Sequence, residues 1–313
     1  MIIKTEADVT TAVLADIQRA DDRRLREILS ALVRHLHDFA REVRLTEPEF
    51  REACAYVNAL GQQTTASHNE AVLMAGSLGL SSLVCLLNNG NSGQTETTAN
   101  LLGPFWRLDS PRTENGGSIV RSATPGVPIF VDILVADQTG RPVAGAEVDV
   151  WHCSQEGYYE NHDPTQADMN QRGKFTSDAN GRVHFRSIKP IGYPIPVDGP
   201  VGDLLRAQKR HNLRPAHLHF LIFKPGFKTQ VSQVYASDDP NLDTDVQFGV
   251  TQRLIGEFVR HDGGGAPAPD VPGPWFSLQY TFEIEPGEAR LPRPPITDKL
   301  KGDRPEIERL VRA

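Results

Sequence analysis

Arg214-Pro-Ala-His-Leu-His-Phe-Leu-Ile-Phe223 is the stretch on which the reading turns. Its two histidines, His217 and His219, lead into an apolar run, which predicts a β-strand. Side chains at i and i+2 leave a strand on one face, so both imidazoles are expected in one pocket. An imidazole pair on one face is half of a metal site, although the spacing alone suits a structural pair equally well. Two tyrosines stand upstream, Tyr159 in Gly157-Tyr-Tyr159 and Tyr193 in Gly192-Tyr-Pro194. Each taken singly reads as a core residue with a satisfied hydroxyl. If they complete the site, the metal is hard and highly charged. Phenolate is a hard donor with a free pKa of about 10, and a strong Lewis acid such as Fe(III) is needed to keep it ionised at neutral pH.

Outward from this strand the texture is β. Pro128 to Val135, Ala146 to His152, Lys174 to Thr176, Arg182 to Arg186, Thr229 to Ala236 and Phe276 to Glu285 carry strand patterns. Thr139-Gly140 marks a turn, and Asp178-Ala-Asn-Gly181 reads as a hairpin turn. Short strands with turn signals between them predict a sandwich or barrel. Gly202 to His211 reads as a short inserted helix, and the Pro-rich, charged tail after Pro286 as a surface wrap.

The first ninety or so residues are helical in pattern. Leu25, Ile28, Leu29, Leu32, Leu36, Phe39 and Val43 follow a 3.6-residue period. Thr46-Glu-Pro-Glu49 and Ser67-His-Asn-Glu70 are capping-box starts. Asn88 to Asn100 reads as a loop or linker. His35 and His37 also form His-x-His, but in a helix such side chains diverge, so they read as a solvated surface. His152, His162, His184, His211 and His261 are isolated, and surface or hydrogen-bonded roles are expected for them. The fold class is therefore mainly β with an α-helical N-terminal domain. Residues 1–105 are expected to form the helical domain and linker, and 106–313 a β-sandwich catalytic domain.

With 313 residues and a net charge of −7, the chain disfavours nucleic acid or an anionic membrane as partner. No signal peptide or spanning segment is visible. Cys54, Cys85 and Cys153 suggest free thiols in a reducing cytoplasm.

The motifs together resemble those of the intradiol ring-cleavage dioxygenases, the catechol 1,2-dioxygenase and hydroxyquinol 1,2-dioxygenase branch. The helical segments Leu25-Arg-Glu-Ile-Leu, Leu32 to Phe39 and Val43-Arg-Leu-Thr-Glu are similar to that family's N-terminal helices. Leu102-Gly-Pro-Phe-Trp106 is similar to its linker, and Val150-Trp-His, Gly157-Tyr-Tyr159, Tyr193-Pro-Ile-Pro and Arg214 to His219 to its iron-site motifs. The resemblance implies one non-haem Fe(III) held by Tyr159, Tyr193, His217 and His219. It implies that Tyr193 leaves the iron when substrate binds, that Arg214 faces the ring, and that Gln233 is the active-site glutamine. The substrates implied are an aromatic diol or triol and O2. Charge counting agrees: two tyrosinates and one hydroxide balance Fe(III), and the departing base can take a substrate proton.

The Tyr193 to Gly202 and Leu242 to Val250 stretches and the linker look more like the hydroxyquinol branch; Trp151-His152 before Gly157-x-Tyr159 looks more like the catechol branch. Hydroxyquinol, benzene-1,2,4-triol, leads, and catechol is the alternative. Leu80, Leu83, Gly103, Pro104, Phe105, Ile195 and Pro196 are the expected pocket residues, with core packing an equal account of Leu80 and Leu83. By resemblance the helices build a homodimer interface with an apolar tunnel for a phospholipid; a plain helical cap also fits. Two rivals stand further off. A non-enzymatic β-sandwich binding module would make the same side chains structural. A zinc hydrolase on His217 and His219 lacks an evident third ligand.

Overall fold

A computed structural model describes residues 2–90 and 97–311 of the chain. The expected loop between Asn88 and Asn100 lies in part, at 91–96, outside the described residues. Two compact units divide at Asn58 and Ala59. The first holds helices α1 (Glu6–Ile17) and α2 (Arg23–Glu42) and the start of α3 (Glu47–Gln63). Asp22 caps α2 by accepting from the Arg24 and Leu25 amides. Glu49 reaches back to the Thr46 amide at 2.9 Å, as the Thr46-x-x-Glu49 spacing predicts. His37 does not stand free in water: its Nδ1 meets Thr10 Oγ1 at 2.8 Å, joining α1 to α2. The apolar stripe of α2 is largely bare within this unit, with Leu25, Ile28, Leu32, Leu36 and Phe39 all exposed.

The second unit begins with the end of α3, then α4 (Glu70–Ser77) and α5 (Leu80–Asn89). Both α4 and α5 thus pack with the β-rich part, whereas the expected domain boundary placed them before residue 105. The cap of α4 is Asn69, whose side chain accepts from the Val72 amide at 3.0 Å. Ser67 does not cap it, and Glu70 turns instead to His68 and the Val201 amide.

Eleven strands follow in the described residues: β1 (Pro128–Asp137), β2 (Glu147–Trp151), β3 (Arg172–Thr176), β4 (Arg182–Ile188), β5 (Tyr193–Pro194), β6 (Leu213–Arg214), β7 (His217–Phe223), β8 (Gln230–Ala236), β9 (Ile255–Gly256), β10 (Val259–His261) and β11 (Trp275–Ile284). Helix α6 (Pro200–Ala207) lies between β5 and β6. One sheet runs β10-β11-β1-β4, the other β3-β2-β7-β8-β9, and β5 and β6 form a two-stranded ribbon. Alternate residues of both larger sheets, among them Ile129, Val131, Val150, Leu218, Phe220 and Phe282, meet in one buried core. The fold is a β-sandwich. Asp178-Ala-Asn-Gly181 is a tight turn, with the Gly181 amide donating to Asp178 O at 3.0 Å. It does not close a hairpin, because β3 pairs with β2 in one sheet and β4 with β1 in the other. The tail from residue 286 to 311 contains no helix or strand.

Candidate metal centre

Strand β7 divides its side chains between two surroundings. Leu218, Phe220 and Ile222 enter the sandwich core, so His217 and His219 must leave the opposite face. Their Nε2 atoms stand 3.1 Å apart, and both rings are buried. The His217 Nδ1–H donates to Pro215 O at 2.7 Å, which leaves Nε2 as a bare lone pair aimed at the site. His219 stacks on Trp151, with centroids 4.7 Å apart and planes 9° apart. A side chain at Gly103, which has φ +72°, would press on the same ring, its Cβ 3.3 Å from His219 Cε1.

The tyrosines arrive from separate elements. Tyr193 begins β5, directly opposite Arg214 on β6. Tyr159 closes the segment after β2, ahead of a helical turn at Glu160–His162. Glu160 is clamped by Arg172 at 2.7 Å and Arg107 at 2.9 Å, all buried, which fixes the backbone beside Tyr159. Gly157, with φ +83°, permits the close approach, since a Cβ there would lie 3.2 Å from Tyr193 Cβ. Tyr159 Oη lies 3.2 Å from Tyr193 Oη and 3.5 Å from His217 Nε2.

Arg214 is buried rather than a surface ion pair. Its Nε and Nη2 take the two carboxylate oxygens of Asp245, each at 3.0 Å, and Nη2 also reaches Gln233 Oε1 at 2.8 Å and Tyr235 Oη at 2.7 Å. Nη1 faces the cluster, 3.4 Å from His217 Nε2. Gln233 stands across the sheet from His219 and donates to Leu101 O at 2.8 Å. Asp245 and Tyr235 are site residues that the sequence reading did not single out. Tyr235 could have been found by period two from Gln233 on β8. Asp245 lies in a loop with no local pattern to mark it.

Burial shapes the protonation of the group. It pushes the Tyr193 phenol up to about 12, against the pull of Arg214, and Tyr159 well above the usual range. It drives His217 down to about 3 and His219 well below the ordinary imidazole value, each reinforced by neighbouring positive groups. Burial works most strongly against the Arg214 charge, but Asp245, Tyr235 and Tyr193 together outweigh it and hold the guanidinium firmly protonated. Two neutral imidazoles and two un-ionised phenols therefore face one another. The buried His219 Nδ1 has no hydrogen-bond partner. A His217 lone pair, an unpartnered His219 ring nitrogen and phenols of raised pKa are the arrangement a cation would relieve, so the residues fit a hard metal ion. No cluster of three or more His, Cys, Asp or Glu side chains exists among the described residues, and the oxygen donors here are phenolic.

A cavity of about 400 Å³ adjoins the tyrosines, lined by Phe105, Ile195 and Pro196 among others. Pro104 is buried. Leu80 and Gly103 line a second cavity of about 790 Å³ beside α4, α5 and β8. Leu83 is 54 % exposed, so the structure does not bring Leu80 or Leu83 into the cavity that holds the tyrosines.

A β-sandwich that buries two phenols and two neutral imidazoles tip to tip is the class of protein that fold and site define. A family described as "Dioxygenase" matches residues 102–285, and one described as "Catechol dioxygenase N terminus" matches 22–96. The 6-chlorohydroxyquinol 1,2-dioxygenase of Cupriavidus pinatubonensis is 43% identical over 280 residues, covering 89% of this chain and 97% of that one. The catechol 1,2-dioxygenase of Candida albicans is 38% identical over 241 residues, covering 76% and 80%. The solved hydroxyquinol 1,2-dioxygenase of Pseudomonas putida DLL-E4 superposes with a TM-score of 0.79 at 38% identity, covering 90% of this chain and 99% of that one. The chain belongs to the intradiol ring-cleavage dioxygenase family and is an enzyme of that kind.

Proposed function

We propose that this enzyme uses Fe(III) and O2 to cleave hydroxyquinol between its adjacent hydroxyl-bearing carbons, giving 3-hydroxy-cis,cis-muconate. The observation that carries the site assignment is the convergence of Tyr159, Tyr193, His217 and His219, with His217 presenting a lone pair toward its neighbours. Ferric iron, when bound there, supplies the Lewis acidity that ionises the phenols and polarises a bound diol. Tyr193 Oη is the base that accepts a substrate hydroxyl proton. Arg214 places a fixed positive charge, through Nη1, where the ring gains electron density. Gln233 and Asp245 hold that guanidinium in place. Phe105, Ile195 and Pro196 exclude water from the ring.

Relatives named for hydroxyquinols support the triol as substrate. The Candida albicans relative keeps catechol, giving cis,cis-muconate, as the second reading. Comparing kcat/KM for the two under identical conditions decides between them: a hydroxyquinol value at least tenfold higher is expected, and a catechol excess would reverse the assignment. We further propose a homodimer formed through the N-terminal helices, with a phospholipid in an apolar tunnel, supported by the bare stripe of α2. The division of labour we propose is a helical 1–105 whose first helices serve assembly, although α4, α5 and Phe105 belong with the second unit, and 106–313 for catalysis. Three free cysteines support a reducing, cytoplasmic setting, and no single described helix is long and apolar enough to cross a membrane.

A further inference from the structure

The match to the "Dioxygenase" family ends at residue 285, yet the chain beyond it returns to the site. Ile307 and Pro305 line the same cavity as Tyr159, Tyr193 and Phe105. The segment 297–310 has no regular secondary structure, so its position depends on the bonds that pin it. The Thr297 and Asp298 amides donate to Ala66 O, and several other bonds go to the elements that carry the tyrosines. The Leu300 amide donates to Asn161 O at 2.7 Å, two residues past Tyr159. The Tyr158 hydroxyl donates to Pro305 O at 2.7 Å, and the Arg304 guanidinium lies 3.9 Å over the Tyr158 ring. Asn212, fully buried, donates to both Ile195 O at 2.8 Å and Glu308 O at 3.0 Å, and accepts from the Leu310 amide at 3.0 Å. One side chain thus clasps the tail to the segment that follows Tyr193.

Between these two clasps Ile307 faces inward. It is only part-exposed in a stretch of exposed neighbours, and its Cδ1 would lie 3.7 Å from a Cβ at Gly157, the glycine against Tyr193. We infer that residues 297–310 are the outer wall of the ring pocket, and that Ile307 is a specificity-determining residue that limits the size of ring substituents. This rests on the proposed function for the identity of the ring. The side chain is apolar and is held at both flanks by side-chain donors to the Pro305 and Glu308 carbonyls, so it can select by volume without being displaced.

The test uses the full-length, iron-loaded enzyme and two variants of opposite size, Ile307→Ala and Ile307→Phe. Each is measured with hydroxyquinol, catechol and 4-tert-butylcatechol, both as kcat/KM and as anaerobic Kd by calorimetry. Hydrogen exchange at the Leu300 and Leu310 amides reports whether the wall stays pinned. Ile307→Ala should raise the preference for the bulky diol over catechol by about tenfold or more in both readouts, and Ile307→Phe should lower it, the scale expected for removing or adding a few methylenes in an apolar pocket. If Ile307→Ala loosens the wall, Ile307→Phe alone decides. Unchanged ratios in a variant whose amides remain protected would overturn the inference while leaving the activity intact. A wild-type protein that neither binds nor cleaves any diol would instead overturn the functional reading, and the wall's role with it.

Discussion

Tyr159 and Tyr193 meet at one point but are held differently. Tyr159 adjoins a carboxylate locked between two buried arginines, whereas Tyr193 sits on a two-residue strand whose partner is Arg214 itself. The second is the better placed to move. Tyr193→Phe is expected to retain iron yet lose about a hundredfold or more in kcat, the scale of a missing general base; undiminished oxygen uptake would remove Tyr193 from that role. Asp245 does its work through Arg214. Asp245→Asn keeps the shape but weakens a buried pair whose outright rupture costs about 3–5 kcal/mol. A lowered Tm together with a raised KM for the diol is expected, and a variant with wild-type Tm and KM would show the pair to be dispensable.

At the level of elements, β7 was the most legible part of the chain. Its period of two put His217 and His219 on one face and Leu218, Phe220 and Ile222 on the other, and that is where they lie. Leu218→Ala should cost about 2–5 kcal/mol in denaturant unfolding, the usual range for a truncated core leucine. A loss below 0.5 kcal/mol, by the same rough standard, would place that side chain outside the core. Local patterns also placed the capped start of α3 and the turn at Asp178 to Gly181. They did not show that this turn joins strands of different sheets, because a turn motif carries no information on long-range pairing. Asp245 was invisible for the same reason: its contact with Arg214 spans 31 residues. The placement of Ile307 depends on contacts longer still, such as the Glu308 to Asn212 bond across 96 residues.

For the molecule as a whole, two histidines outside the donor cluster, His152 buried and His162 half-buried, predict an acid limit. His152 donates from Nδ1 to Cys153 O and meets Ser187 Oγ at 2.6 Å, and burial lowers its pKa to about 4. His162, packed edge-on against Phe105, is lowered to about 3 by burial and by His68. In the unfolded chain both recover the ordinary value of about 6.5. Between that value and the folded one the unfolded state binds protons that the native state refuses. Stability is therefore complete above about pH 6.5 and falls as the pH drops toward 4, at up to about 1.4 kcal/mol per pH unit for each histidine. A Tm that stays level from pH 7 to pH 5 would contradict this. The central claim is that two tyrosines and two histidines hold ferric iron and receive the diol. An anaerobic visible spectrum of the iron-reconstituted protein, before and after adding hydroxyquinol, tests it most directly. A red-brown tyrosinate-to-Fe(III) band that shifts on addition is the predicted result; a protein that stays colourless after reconstitution would contradict it.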